Sequence, residues 1–240
     1  MGRVGPASDV RMERFEDRTR QAEALAGRVA DLLRQAISQR AKAALVVSGG
    51  STPAPFFDAL SRQELDWGRV TVTLADERWV PPDHEASNEG LVRRHLLRNR
   101  AESAELLGLY TGHGSAADAQ QVCSERLDRN VALPFDAVVL GMGKDGHCAS
   151  LFPRAEGLKE AVDPDSKRLC AAVRPASAPH QRMTLTLNAL LSSRNIFLLI
   201  TGAEKLDVLE RALAPGPPEE MPIRYVLRRS RPPVAVFFAP

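Results

Sequence analysis

The feature that most constrains the fold is an apolar run at residues 135–140 that ends abruptly in a glycine-rich turn. The segment FDAVVL has the pattern of a strand buried on both faces of a parallel sheet. Ligands of such sheets bind at the carboxyl ends of the strands. The turn that follows presents Asp145 and His147 among glycines, whose missing side chains let backbone N–H groups approach a ligand. We therefore predict an active site with His147 as base and Asp145 as its orienting carboxylate.

Two other interpretations of this turn stay open. Residues 141–146 match the G-x-G-x-x-G pattern of dinucleotide-binding proteins. The next apolar run, residues 169–173, nevertheless ends in Arg-Pro, where the ribose would require an acidic residue. Alternatively, His147 caps a short helix that follows, and Asp145 closes a turn. The turn alone does not separate catalysis from capping.

Strand-like and helix-like segments alternate along the chain, which is typical of an α/β fold. Apolar residues recur every three or four positions over residues 19–40, the period of an amphipathic helix. The other predicted helices are 53–60, 88–97, 116–129 and 204–213, and the predicted strands are 43–47, 70–74, 135–140, 183–187, 196–200 and 234–238. This alternation favours a doubly wound, mainly parallel, Rossmann-like sheet with helices on both faces. We expect a single domain over 1–240, with a polar leader at 1–13 and loops at the proline-rich stretches 174–180 and 215–222.

Composition restricts the class of protein. With 44% hydrophobic and 26% charged residues in 240, the chain is typical of one globular domain. A net charge of +2 with interleaved signs argues against nucleic-acid and membrane partners. The 3 cysteines show no C-x-x-C spacing and are expected to be reduced thiols. No apolar run approaches the ~18 residues of a membrane span, so we predict a cytoplasmic protein.

A second candidate site is the turn SGGSTP at residues 48–53. Gly49 and Gly50 permit a tight turn, Thr52 is a candidate helix N-cap, and Pro53 suits a first helical position. At such a turn the N–H groups of the helix start point out of the sheet, where they can bind an anion. An ordinary capped turn is the alternative, but two consecutive glycines favour a backbone wrapped around a phosphate.

A third candidate site follows the predicted strand at 70–74. Asp76, Glu77 and Arg78 come directly after it, with a long polar loop behind them. Charges at the carboxyl end of a strand usually face a ligand. The alternative is a solvated loop with a surface ion pair, but two other candidate loops are expected at the same sheet edge, which favours a functional role.

Four motifs, in this order, resemble those of the 6-phosphogluconolactonases: SGGSTP, DERWVP with a Ser-Asn pair behind it, GMGKDGHCASLFP and RMTLTL. The resemblance extends over about residues 14–225. It implies hydrolysis of 6-phospho-D-glucono-1,5-lactone to 6-phosphogluconate in the oxidative pentose phosphate pathway, without a metal or other cofactor. The related glucosamine-6-phosphate deaminases share the fold and the G-x-G-x-D-G-H turn but continue into Phe-Asn-Glu-Pro. This chain has Ala-Ser-Leu-Phe-Pro at 149–153, and the missing glutamate argues against deamination.

The resemblance and the chemistry of the residues together assign roles. His147 is expected to deprotonate water, Asp145 to orient His147, and backbone N–H groups of the glycine turns to stabilise the oxyanion. Lys205 is expected to bind phosphate, although a surface lysine at a helix start is the alternative. The predicted substrate-binding residues are Gly49, Gly50, Ser51, Thr52, Asp76, Arg78, Gly143, Arg182 and Lys205.

Other chemistries have weaker support. Cys148 adjoins His147, but sequence neighbours on a helix do not face each other, so a Cys–His pair is not expected. The remaining histidines lack metal-ligand spacing, so we predict no metal.

Two alternative functions remain: an amino-sugar phosphate deaminase or isomerase, and a non-catalytic sugar-phosphate sensor. A sensor is expected to carry a DNA-binding helix-turn-helix, for which the predicted leader is too short.

Overall fold

A computed structural model describes residues 10–112, 114–228 and 233–240. Its strands are β1 (Arg11–Arg14), β2 (Ala43–Val47), β3 (Val70–Leu74), β4 (Asp76–Arg78), β5 (Glu105–Leu107), β6 (Ala137–Leu140), β7 (Cys170–Val173), β8 (Arg182–Leu185), β9 (Ile196–Thr201) and β10 (Val234–Ala239). Its α-helices are α1 (Arg18–Arg40), α2 (Ala54–Leu60), α3 (Asn88–His95), α4 (Ala116–Asn130), α5 (Leu158–Ala161), α6 (Leu187–Leu191), α7 (Ala203–Leu213) and α8 (Ile223–Leu227). Most of the predicted leader lies outside the described residues, but β1 begins within the range predicted for it.

Seven of the strands form one parallel sheet in the order β1-β10-β9-β6-β2-β3-β5. From β2 the chain adds β3 and β5 on one side, and it then returns to add β6 on the other side. This order confirms the predicted doubly wound α/β fold. The direction of winding reverses between β2 and β6, and ligands of such sheets bind beside that reversal, at the carboxyl ends of the strands.

A second sheet of three antiparallel strands, β4-β8-β7, was not predicted. Residues 183–187 were expected in the main sheet, but β8 pairs with β4 and β7 instead. The two sheets meet at Ala75, whose N–H donates to the Val47 carbonyl (2.8 Å) and whose carbonyl accepts from the Leu185 N–H (2.9 Å). The charged segment after β3 is therefore a strand of its own and not a solvated loop.

The helical period of α1 is confirmed, because the side chains at three- and four-residue spacings are buried. Leu25, Val29 and Leu33 are all fully buried, and the helix packs against α2, β2, β6 and β10. Burying one such side chain contributes roughly 1.5–3 kcal/mol. The Asp17 side chain caps the start of the helix by accepting from the Arg20 N–H (2.8 Å). This packing anchors the central strands that carry the candidate loops.

Local details at two element ends differ from prediction. Thr52 was expected to cap α2, but Pro53 occupies the cap position and makes no side-chain cap bond, so that prediction is wrong. The chain makes a further turn there before α2 begins. The predicted strand at 135–140 is regular only over β6, and Phe135 forms an isolated bridge with Ser193.

Candidate active site

A cavity of about 400 Å³ opens at the carboxyl ends of β2, β6 and β9, beside the reversal of the sheet. It brings the three candidate loops together around one space. Nine of the predicted site residues line it: Gly49, Gly50, Ser51, Thr52, Asp76, Arg78, His147, Arg182 and Lys205. Asp145 and Gly143 do not line the cavity.

The turn after β6 is closed by its own backbone. The Gly143 N–H donates to the His147 carbonyl (2.8 Å), and the Gly146 N–H donates to the Gly143 carbonyl (3.1 Å). Gly146 has a φ of +77°, a left-handed conformation that favours glycine. The next helix begins only at Leu158. Because no helix starts at the turn, His147 is not a helix cap, and the strand-turn-helix context of a dinucleotide site is missing.

His147 and Asp145 form a close pair at this turn. Asp145 Oδ1 lies 2.5 Å from His147 Nδ1 and also accepts from the His147 backbone N–H (3.1 Å). Burial alone would raise the pKa of Asp145, but the hydrogen bonds and charge of His147 outweigh it and lower that pKa. An ionised Asp145 favours the tautomer with its proton on Nδ1. Nε2 is then the ring nitrogen with a lone pair for a substrate or water.

Gly143 contacts the back of this pair. A Cβ at Gly143 would lie 2.1 Å from His147 Nδ1, 2.2 Å from His147 Cε1 and 2.6 Å from Asp145 Oδ1. Only glycine permits the ring to sit this close to the backbone. The position supports a packing role for Gly143 in place of the predicted contact with substrate.

Phe152 provides a second contact that sequence reasoning missed. Its ring stacks on the His147 imidazole, with centroids 4.0 Å apart and planes 30° apart. The guanidinium carbon of Arg182 lies 5.8 Å from the Phe152 ring centroid. Phe152 stands near the end of the GMGKDGHCASLFP motif, but no local pattern in that motif signals stacking.

The loop at residues 48–53 forms another wall of the cavity. Gly50 has a φ of +95°. A Cβ at Gly49 would lie 1.8 Å from Asn88 Oδ1, so glycine is required for the close approach of the Asn88 carboxamide. In the described part of the chain, no hydrogen bond takes the N–H groups of residues 49–52 as donors. These groups are therefore available to an anion, and the anion-binding role of the loop stays a prediction.

Two arginines face this cavity from neighbouring strands. Arg78 on β4 is the register partner of Arg182 on β8. Arg182 is only 6% exposed, and its Nε has no hydrogen-bond partner among the described residues. Burial and then the charge of Arg78 lower the pKa of Arg182, against the opposing charges of Asp76 and Glu77. Like charges in register are unfavourable, and an anion between them would relieve that repulsion.

Asp76 supplies a fixed carboxylate in the same space. The Ser150 hydroxyl donates to its Oδ2 (2.5 Å), and the Asn88 Nδ2 donates to its backbone carbonyl (2.8 Å). Asn88 Oδ1 is buried and has no partner among the described residues. Ser150 and Asn88 were not assigned roles from sequence, because both contacts join distant segments. Together Ser150 and Asn88 hold Asp76 where its carboxylate can accept hydrogen bonds from substrate hydroxyl groups.

Beneath this wall, Glu77 is fully buried and binds the start of α3. Its carboxylate accepts from the backbone N–H groups of Arg78 (2.8 Å), Asn88 (2.8 Å) and Glu89 (2.7 Å). Burial outweighs these bonds and raises the pKa of Glu77 from 4.5 to about 7. An acid with a raised folded-state pKa binds its proton more tightly when folded. Its stabilising contribution is therefore present at low pH and is lost as the pH rises from about 4.5 to about 7.

Lys205 lines the cavity from α7 and is half-buried. Burial lowers its pKa, partly offset by the charge of Glu204. Glu204 itself is bound by Lys144 (2.9 Å). Lys205 can therefore direct its charge at a ligand, which favours the binding role over the surface-lysine alternative.

Other reactive groups fit this site poorly. Cys148 is buried, and desolvation with the charge of Asp76 raises its pKa to about 12, so it is a poor nucleophile. Among the described residues, no group of three or more His, Cys, Asp or Glu side chains could hold a metal ion. No helix in the same residues is long and apolar enough to cross a membrane.

Comparison with known proteins gives consistent matches. The model of the family described as glucosamine-6-phosphate isomerases/6-phosphogluconolactonase matches residues 16–235. A 6-phosphogluconolactonase of Pseudomonas aeruginosa is 48% identical over 208 residues, which cover 87% of either chain. One of Mesorhizobium japonicum is 47% identical over 94% of either chain. The crystal structure of a 6-phosphogluconolactonase from Shewanella baltica superposes with a TM-score of 0.95 over 98% of this chain and 100% of that one. The two sequences are 44% identical.

Proposed function

Because the chain belongs to the family of glucosamine-6-phosphate isomerases and 6-phosphogluconolactonases, we propose that it hydrolyses 6-phospho-D-glucono-1,5-lactone to 6-phospho-D-gluconate. The observation that carries this proposal is one cavity with His147 on its wall, hydrogen-bonded to Asp145, and two arginines in register beside a glycine loop. The first group can activate water, and the second can bind a phosphate. In the cell, this reaction would serve the oxidative pentose phosphate pathway in the cytoplasm.

Binding would be carried by the anion end of the cavity. The N–H groups of residues 49–52 and the side chains of Arg182 and Lys205 would take the phosphate, with Arg78 on phosphate or lactone oxygens. Asp76 would accept sugar hydroxyl groups. A charge-assisted hydrogen bond of this kind contributes roughly 1.5–3 kcal/mol, enough to fix the orientation of a small substrate.

Hydrolysis would then proceed in two steps. In the first, water attacks C1 while His147 Nε2 takes its proton, and the carbonyl π electrons move to the oxygen to give a tetrahedral oxyanion held by backbone N–H groups. In the second, the carbonyl re-forms, the bond between C1 and the ring oxygen breaks, and the His147 proton moves to that oxygen. Asp145 stabilises the imidazolium that exists between the two steps.

The test is the turnover of His147→Ala with freshly prepared lactone. A general base contributes roughly 10²- to 10⁴-fold, so we expect kcat to fall at least ~100-fold with the fold intact. Because the lactone also opens unaided in water, the rate without protein must be subtracted. Wild-type turnover in this variant would remove His147 from the mechanism.

Two alternatives predict different outcomes. A deaminase would release ammonia from glucosamine 6-phosphate, and a non-catalytic sugar-phosphate sensor would bind phosphogluconate without accelerating lactone opening. The segment Ala-Ser-Leu-Phe-Pro at 149–153 lacks the glutamate that assists ring opening in the deaminases, which argues against the first alternative. Measuring ammonia and lactone in parallel separates the three functions.

A further inference from the structure

Phe152 differs from the other buried phenylalanines in its surroundings. It is 6% exposed, lines the cavity, and is not part of the continuous hydrophobic core cluster of the described residues. Its ring neighbours include the His147 imidazole at 4.0 Å and the Arg182 guanidinium at 5.8 Å. The ring thus lies between two polar side chains of the site, at the wall of the cavity.

Hydrogen bonding and the covalent bond to Cβ fix only one edge of the His147 ring, because the described side-chain hydrogen bond is the contact of Nδ1 with Asp145 Oδ1. Gly143 packs against Nδ1 and Cε1. A tilt of the ring plane about the fixed edge still moves Nε2. A flat ring stacked on the imidazole face limits this tilt, and stacked aromatic pairs contribute beyond their buried area.

Phe152 is itself held by short-range backbone contacts. Its N–H donates to the Ser150 carbonyl (3.1 Å), and its carbonyl accepts from the Ala155 N–H (3.3 Å). Cys148 and Leu151 form an isolated bridge immediately before it. The same segment is bound to Asp76 through the Ser150 hydroxyl. The backbone that carries the ring is therefore fixed at the cavity wall, and the side chain itself is buried there.

We propose that Phe152 is a positioning residue, whose ring fixes the plane of the His147 imidazole and so aims Nε2 at the reacting carbon. The proposal rests on the proposed function of His147 as base. It assigns Phe152 no direct chemistry, so its effect on turnover should depend entirely on His147.

The test is a double-mutant cycle of Phe152→Leu and His147→Ala. Leucine keeps an apolar side chain but removes the flat ring, and we expect kcat of the single variant to fall about tenfold, the upper range for an aromatic pair. In the His147→Ala background, the same change should leave the residual rate unaltered. Phe152→Tyr keeps the ring and should keep most of the turnover. An equal fall of the rate in both backgrounds would overturn the proposal.

Two further measurements test the specificity of the effect and the stacked contact itself. Phe237→Leu removes another buried ring, which stacks on Phe15 at 5.4 Å and does not line the cavity, and should lower stability without lowering kcat. The NMR signals of the His147 ring protons should lose their ring-current shift in Phe152→Leu, a readout that needs no turnover. Unchanged signals would overturn the proposal. Because this measurement does not depend on turnover, it tests Phe152 separately from the role of His147 as base.

Discussion

Gly143→Ala is the smallest change that should disable the site. Gly143 is not among the glycines with a positive φ, so alanine is compatible with its backbone. The added methyl group would nevertheless lie 2.1 Å from His147 Nδ1, whereas ordinary contact begins at 3.4 Å. Since the same carbon would also lie 2.6 Å from Asp145 Oδ1, the ring and the carboxylate cannot both keep their places.

The size of the effect follows from the required displacement. The imidazole must move by roughly 1 Å or more, and a misplacement of about 1 Å at a reacting group can cost ~10²-fold in rate. We therefore expect kcat to fall about 100-fold, which corresponds to ~2.7 kcal/mol of lost transition-state stabilisation. KM should change little, because Gly143 does not line the cavity where the substrate would bind.

The assay compares initial rates on freshly made lactone, with the uncatalysed rate subtracted. The control is Gly27→Ala, in the middle of α1, where an added Cβ meets nothing within 4 Å. That variant should keep its activity and gain up to about 1 kcal/mol, because alanine is the better helix former. Turnover of Gly143→Ala within about threefold of wild type, in a folded protein, would refute the inferred place of the His147 ring in the mechanism.

Three further variants test other walls of the site. Arg182→Ala should raise KM about tenfold or more and lower kcat less, since it removes a charge-assisted phosphate contact; steady-state kinetics check this, and a loss confined to kcat would assign Arg182 to the reacting end. Ser150→Ala removes the donor to Asp76 Oδ2 and should lower kcat/KM roughly tenfold; unchanged kinetics would mean that Asp76 does not depend on this bond. In the wild type, the titration of Glu77 should lower the unfolding free energy by on the order of 3 kcal/mol as the pH rises from 4.5 to about 7, and Glu77→Gln should abolish this decline. Denaturant unfolding at several pH values measures that slope, and parallel slopes in wild type and variant would contradict the raised pKa.

Much of the fold is predictable because its signals are local. The helical period of residues 19–40, the buried run of β2 and the apolar segment before the glycine turn depend only on neighbours along the chain. The alternation of these elements predicts the parallel sheet and its ligand edge. The three candidate loops, among them the Asp145–His147 turn, were found in the same way.

The remainder of the site depends on contacts that no local pattern specifies. Ala75 joins the two sheets, and the pairing of β4 with β8 beyond that junction puts Arg78 in register with Arg182. Ser150 reaches Asp76 across 74 positions of the chain. Glycine, histidine and aspartate in a turn indicate an active site, because the conformational freedom of glycine and the acid–base properties of the other two do not depend on distant parts of the chain. Which side chains surround them depends on how the second sheet packs beside the first, and tertiary structure alone decides that.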